Sequence, residues 1–257
     1  MPFEPARLLE VADLTVQSWG LPPLDGVGLK APAGSVTALI GPAGSGRSTL
    51  VAALTGEVAM RRGAIRLAGR ELRRSGPERR RRAGLAWARS SQGLPPAVSV
   101  FEAVALAQVL AQRPAWSWLQ RPWAAAGEAG RREVLALLEK TGLDSFADHP
   151  VEGLPLAYRR RLQLALALAG RPRLLILDRP WVGLPRSERR RHVELLRALG
   201  EDGVAVLLVD DDLELVAELA RHVVVLQRGQ VAAQGTPAEI GDMSEIRRVF
   251  TGDEAWR

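Results

Sequence analysis

The stretch that most constrains this chain is Val36-Thr37-Ala38-Leu39-Ile40, an unbroken apolar run that passes straight into Gly41-Pro42-Ala43-Gly44-Ser45-Gly46-Arg47-Ser48. A short continuous run of this kind reads as a strand covered on both faces. The turn in its wake leads into Ser48-Thr49-Leu50-Val51-Ala52-Ala53-Leu54, a helical pattern that ends near Gly56. Strand, glycine-rich loop and helix in that order call for an α/β core with a buried parallel sheet. The loop matches G-x-x-x-x-G-K-[ST] except that Arg47 stands for lysine. Its glycines allow backbone N–H groups to turn inward around a phosphate, the helix offers its positive amino end, and the Ser48 hydroxyl is a ligand for Mg²⁺. Arg47 keeps the cation, although a planar fork is bulkier than an ammonium at a tight phosphate site.

Other segments place the loop in a larger fold. Leu8 to Val11, Leu14 to Val16 and Leu24 to Val27 alternate as strands at the amino end, and Leu174 to Leu177 and Val204 to Val209 repeat the buried-strand pattern. Helical patterns lie between them. From about 95 to 170 the pattern is mostly helical, interrupted by Pro114, Trp116, Trp118, Pro122 and Trp123, which predicts a helical subdomain inserted into the core. At 257 residues, 47% of them hydrophobic and 25% charged, the chain has material for a real core, and disorder, collagen and coiled coil are excluded. Cysteine is absent, so there is no disulfide framework, thiolate zinc site or cysteine nucleophile, which fits a reducing compartment. No apolar stretch reaches membrane-spanning length and no secretory signal precedes residue 12, so the expected location is cytoplasmic.

The formal charge of +6 is almost wholly arginine, because the only lysines are Lys30 and Lys140. Its densest cluster, Arg79 to Arg82 behind Arg73 and Arg74, is expected to be a solvated helix face rather than a nucleic-acid grip. His149, His192 and His222 are too dispersed for a metal site and are expected at the surface or at strand edges. Trp116, Trp118 and Trp123, with Arg113 and Arg121, suit either packing inside the helical subdomain or a partner-facing surface.

The stretches LDGVGLKAPAGSVTALIGPAGSGRSTL, RPRLLILDRP, VVVLQRGQVAAQGTPAEI and EIRRVFTGDEA resemble the nucleotide-binding subunits of ABC transporters, most closely the branched-chain amino acid type of importer. The resemblance covers nearly the whole chain. It implies a P-loop NTPase of the ABC ATPase type, one domain over residues 1–257, with an antiparallel β subdomain at the amino end beside the inserted helices. It also implies ATP and Mg²⁺ as ligands, a second ABC ATPase subunit and transmembrane permease subunits as partners, no nucleic acid, and a peripheral place at the inner face of the cell membrane. Carried over by position, Trp19 falls where the family stacks an aromatic on adenine, Gly41 through Thr49 form the phosphate loop, and Gln92 matches the Q-loop glutamine. Asp178 matches the Walker B aspartate, so that Ser48, Gln92 and Asp178 form the Mg²⁺ set.

Four motifs depart from that pattern. Arg47 replaces the lysine; Arg179 stands where the family has the glutamate that polarises water; Asp211 stands where it has the switch histidine; and the signature reads Leu154-Pro155-Leu156-Ala157-Tyr158. Arginine does not accept a proton from water, because its pKa stays above about 12. A carboxylate at 211 repels a γ-phosphate. Three readings follow: a normally working transport ATPase, a degenerate cassette beside a competent partner, or a soluble ABC-type protein without permease partners. The second is the expectation, with hydrolysis lost and ATP binding weakened. A further expectation is that Arg179 and Asp211 approach each other where the phosphate would lie.

Overall fold

The computed structural model describes residues 7–17, 19–90, 93–95, 97–112 and 127–240. The amino end forms two long antiparallel strands, β1 (Arg7–Val16) and β2 (Leu24–Pro32), followed by the buried strand β3 (Val36–Ile40) and the helix α1 (Arg47–Thr55). Next come β4 (Arg62–Leu67), the short β5 (Arg70–Glu71), α2 (Pro77–Arg82) and β6 (Leu85–Arg89). Three helices follow without an intervening strand among the described residues: α3 (Val100–Gln112), α4 (Gly127–Thr141) and α5 (Leu156–Leu168). The chain then returns through β7 (Leu174–Asp178), α6 (Arg186–Glu201), β8 (Ala205–Val209), α7 (Leu213–Leu219), β9 (His222–Gln227) and β10 (Gln230–Gly235).

Two sheets result. One is antiparallel with order β2-β1-β4-β5; the other has order β10-β9-β3-β8-β7-β6. In the second, β3 pairs in parallel with β8 and β9, and β7 pairs in parallel with β6 and β8. All five residues of β3 and of β8 are buried, which is why both read as continuous apolar runs rather than alternating ones. Val36 to Ile40 and Leu174 to Leu177 therefore share one sheet, as expected from the sequence.

The layers explain the side-chain patterns. Leu50, Val51, Ala53 and Leu54 of α1 join Leu9, Leu14, Leu29, Ile65, Ile176 and Leu207 in one core between the two sheets. The opposite face of the parallel sheet is covered by α5 and α6 through Leu164, Leu168, Val193 and Leu196. The helices α3 to α5 build a core of their own from Val100, Val104, Val134, Leu138 and Leu162. Burying each such leucine or valine contributes about 1.5–3 kcal/mol, so these helices have a packing reason to form a separate unit.

Two surface expectations are overturned. Arg80, inside the arginine run, is 2% exposed, whereas Arg79, Arg81 and Arg82 face solvent. The run is too regular for its composition to reveal which arginine turns inward; α2 aims Arg80 at the carboxyl end of α1. His192 is likewise buried, because α6 sets its ring edge-on to that of the buried Trp181, while His149 is exposed and His222 opens β9. Gln92, Arg113, Trp116, Trp118, Arg121, Trp123 and the EIRRVFTGDEA run lie outside the described residues.

Candidate functional site

Residues 41–46 cross from the carboxyl end of β3 to the amino end of α1, so the loop stands at the edge of a buried sheet with a helix terminus beside it. Its course depends on glycine. At Gly41 (φ 154°) an added Cβ would stand 2.2 Å from Leu226 O, and at Gly46 (φ 102°) 2.6 Å from Leu24 Cδ2. Ser45 N–H donates to Pro42 O at 3.1 Å, and Ser45 O accepts from Gly229 N–H at 2.9 Å. The Ser45 hydroxyl, also buried, has no hydrogen-bond partner among the described residues. Nor does any described side chain cap α1. A glycine-shaped cradle with an orphaned buried hydroxyl and an uncapped helix end fits a polyphosphate.

The segment ahead of β2 leans on this loop. Thr49 Oγ1 donates to Pro22 O at 2.7 Å, which ties the first turn of α1 to the stretch that follows Trp19. Trp19 itself presents its whole side chain to solvent. It belongs to no core among the described residues, and its indole face is open to a flat ligand.

Asp178 closes β7 and Arg89 closes β6, and the two are register partners. Arg89 Nε lies 4.0 Å from Asp178 Oδ2, while Arg89 Nη1 donates to Glu57 Oε2 at 2.8 Å. Burial raises the Asp178 carboxyl above its ordinary value; Arg89, Arg179 and Arg47 oppose that shift and Asp211 adds to it. Sequence reading missed Arg89. The available signal was a charged residue ending a buried strand, but its partner emerges only when β6 is set beside β7.

Asp211 lies across from the loop. Its Oδ1 accepts from Arg47 Nη1, and its Oδ2 is 3.9 Å from Arg179 Nε, so the expected approach of Arg179 is present. The closer partner, however, is Arg47. The neighbouring carboxylates have separate work: Asp210 Oδ1 accepts the N–H groups of Asp211 and Asp212 at 2.8 and 2.9 Å, while Asp212 pairs with Arg189 at 2.5 Å and caps α7 by accepting from Leu215 N–H at 3.2 Å. Neither competes for Arg179. Arg179 itself sits at φ 51° with its N–H donating to Val209 O at 2.8 Å.

In the signature-like stretch, Pro155 precedes α5 and Leu154 is buried, while Leu156 stands exposed and in contact with Gly183. Tyr158 is turned inward, its ring 4.0 Å from that of Phe146 and 4.8 Å from the Arg161 guanidinium. Arg160 and Arg161 were also missed. Arg160 donates to Ser90 O and to Val182 O, and Arg161 pairs with Glu188 at 2.6 Å, so α5 is fastened to the ends of β6 and β7 and to α6.

Ser48, exposed in the first turn of α1, and Asp178 are the described oxygen donors that would hold a divalent cation, and bound ATP would supply a phosphoanhydride to this loop. The position beside Asp178 is a cation rather than a base. So the described residues can bind and orient phosphates, and they offer no carboxylate next to Asp178 for orienting water.

The fold and this loop define a P-loop cassette of the ABC ATPase type, and a family model described as ABC transporter matches residues 24–182. The chain belongs to the ABC transporter family and is an ATP-binding domain of it. It is 35% identical over 252 residues to the hemin import ATP-binding protein HmuV of Streptomyces coelicolor, covering 95% of this chain and 85% of that protein. It is 32% identical over 250 residues to the high-affinity branched-chain amino acid transport ATP-binding protein BraF of Pseudomonas aeruginosa, covering 96% and 98%. Among solved structures, an ATP-binding cassette of an ABC transporter in its ADP conformation superposes with a TM-score of 0.80 at 22% identity over 95% of each chain.

Proposed function

We propose that this chain is the nucleotide-binding subunit of an ABC importer that has kept its phosphate loop and lost the groups needed for hydrolysis. It works beside a competent second cassette and membrane-spanning permease subunits, peripheral at the inner face of the cell membrane. We read residues 1–257 as one cassette, with about 95–170 as its helical subdomain.

One contrast carries this reading. The glycine-shaped loop between β3 and α1 keeps its cradle, while the place after Asp178 holds Arg179 and the place facing the loop holds Asp211. Binding relies on backbone N–H groups and survives such changes; water activation relies on a base and does not. Import is supported by relatives named as import ATP-binding proteins for hemin, Fe(3+) ions and sulfate/thiosulfate. The motif likeness to the branched-chain type is matched by equal likeness to a hemin protein, so the proposal is an import cassette rather than one solute. No described helix is long and apolar enough to cross a membrane, which suits a subunit that relies on separate permeases.

The test is phosphate release from ATP·Mg²⁺ by the purified chain. The unmodified chain should bind nucleotide and show no turnover above background, and the triple variant Arg47→Lys, Arg179→Glu, Asp211→His should gain turnover. Robust hydrolysis by the unmodified chain would overturn the loss of catalysis.

A further inference from the structure

In a loop of this shape the backbone N–H groups serve the inner phosphates, and the cation that opens the helix reaches the β/γ end. That cation is Arg47, and it is already engaged. Its side chain is only 12% exposed and is bonded through Nη1 to Asp211 Oδ1. The other carboxylate oxygen of Asp211 faces Arg179 Nε at 3.9 Å. One carboxylate therefore answers two guanidinium groups at the outer end of the loop.

The carboxylate is held there from behind. Asp210 Oδ1 fixes the backbone N–H groups of Asp211 and Asp212, and Asp212 is bound to Arg189 and to the first turn of α7. With both neighbours committed, Asp211 is the carboxylate of the three left facing Arg47. It is 40% exposed, and so open to exchange with a ligand from solvent.

We propose that Asp211 is a built-in surrogate for the γ-phosphate, and that this loop therefore takes a nucleoside diphosphate in preference to a triphosphate. The inference rests on the nucleotide-binding reading above. A carboxylate and a phosphoryl group present the same kind of anionic oxygens to arginine, and the Nη1 donor of Arg47 is already given to Asp211. A terminal phosphoryl group would have either to displace Asp211 from Arg47 Nη1 or to share the guanidinium with it, and in both cases it would lie against the Asp211 carboxylate, which repels it. A diphosphate ends one group earlier and leaves the Arg47–Asp211 pair in place. Arg179 adds to this by keeping positive charge on the far side of the Asp211 carboxylate.

Calorimetric titration of the full chain with ADP and with ATP, with and without Mg²⁺, tests this. ADP should bind at least about tenfold more tightly than ATP, and Asp211→Asn should raise ATP affinity by about tenfold while moving ADP affinity by no more than about twofold. A thermal-denaturation cycle of Arg47→Met, Asp211→Asn and the double variant, without nucleotide, should show favourable coupling between the two side chains. Equal or tighter binding of ATP by the unmodified chain, or an equal shift of both ligands in Asp211→Asn, overturns the surrogate role and leaves the nucleotide-binding reading standing. Binding of neither nucleotide to either form overturns both.

Discussion

Arg80 donates from Nη1 to Leu54 O at 2.7 Å, so a buried arginine of α2 closes the helix that begins at the phosphate-binding loop. The same guanidinium also donates to Ala53 O, to Leu72 O at 3.0 Å and, through Nε, to Ser75 O at 2.7 Å. Carbonyls at a helix end carry partial negative charge, and a cation there satisfies both their hydrogen bonding and the helix dipole. Burial lowers the Arg80 pKa, with Glu71 opposing, but arginine keeps its proton at any working pH.

Arg80→Ala should therefore destabilise the fold by about 3–5 kcal/mol, since four carbonyls lose the guanidinium at once and Leu54 O at the helix end loses its cap. Arg79→Ala, at an exposed position of the same run, should stay within about 0.5 kcal/mol. Denaturant midpoints of the two variants settle this, and equal small effects would mean that Arg80 is no cap. Arg80→Lys should recover only part of the loss, because one ammonium does not reproduce the fork.

The loop itself should tolerate no side chain at Gly46. Its φ of 102° and the 2.6 Å approach to Leu24 Cδ2 make Gly46→Val costly by roughly 2–4 kcal/mol and should abolish nucleotide binding. Unchanged affinity in that variant, measured by the same titration, would place the ligand elsewhere.

Asp178 gives a pH test with a definite sign. Burial raises its folded pKa, so its favourable contribution exists below the ordinary carboxylate value and is lost as pH rises through the folded value. At neutral pH the ionised group is a net cost. Asp178→Asn should raise the melting temperature at pH 7, with the gain fading as the pH is lowered through the carboxylate range. Mg²⁺ with nucleotide should stabilise the unmodified chain more than this variant. A lower melting temperature for Asp178→Asn at pH 7 would show that its attraction to Arg89 outweighs burial.

His192 supplies the opposite case. It is 4% exposed, its Nδ1 hydrogen bonds to Glu188 O at 3.1 Å as the donor, and burial is the first cause that lowers its pKa, with Arg161 adding to it. A depressed pKa means stability that is present above the ordinary imidazole value and is lost as pH falls below it. Unfolding free energy should thus decline on acidification below about pH 6.5, and His192→Phe should flatten that part of the profile. An unaltered slope in the variant would assign the acid sensitivity to other groups.

How far the sequence reaches differs between the elements and the site. Val36 to Ile40, Leu174 to Leu177 and the helix ending at Gly56 were legible because a strand buried on both faces must be apolar throughout and a helix must end where glycine turns left-handed. The phosphate loop was legible because its glycines are demanded by local backbone geometry. The described helices α3 to α5 were legible as a region, since helical periodicity is also local.

Apart from the approach of Arg179 to Asp211, which the family resemblance anticipated, tertiary structure decided which charges meet. Asp211 and Arg47 are 164 residues apart, and their pairing exists because β3 and β8 are parallel neighbours that bring the loops beyond their carboxyl ends to one edge of the sheet. Arg89 finds Asp178 for the same reason, through the register of β6 on β7. Arg80 and His192 turned inward because of the surfaces packed against α2 and α6, which no residue-by-residue pattern encodes. Local sequence determines backbone shape and apolar faces, because those depend on near neighbours. Salt bridges and buried polar groups depend on the register of distant strands, and that register is set only when the whole sheet assembles.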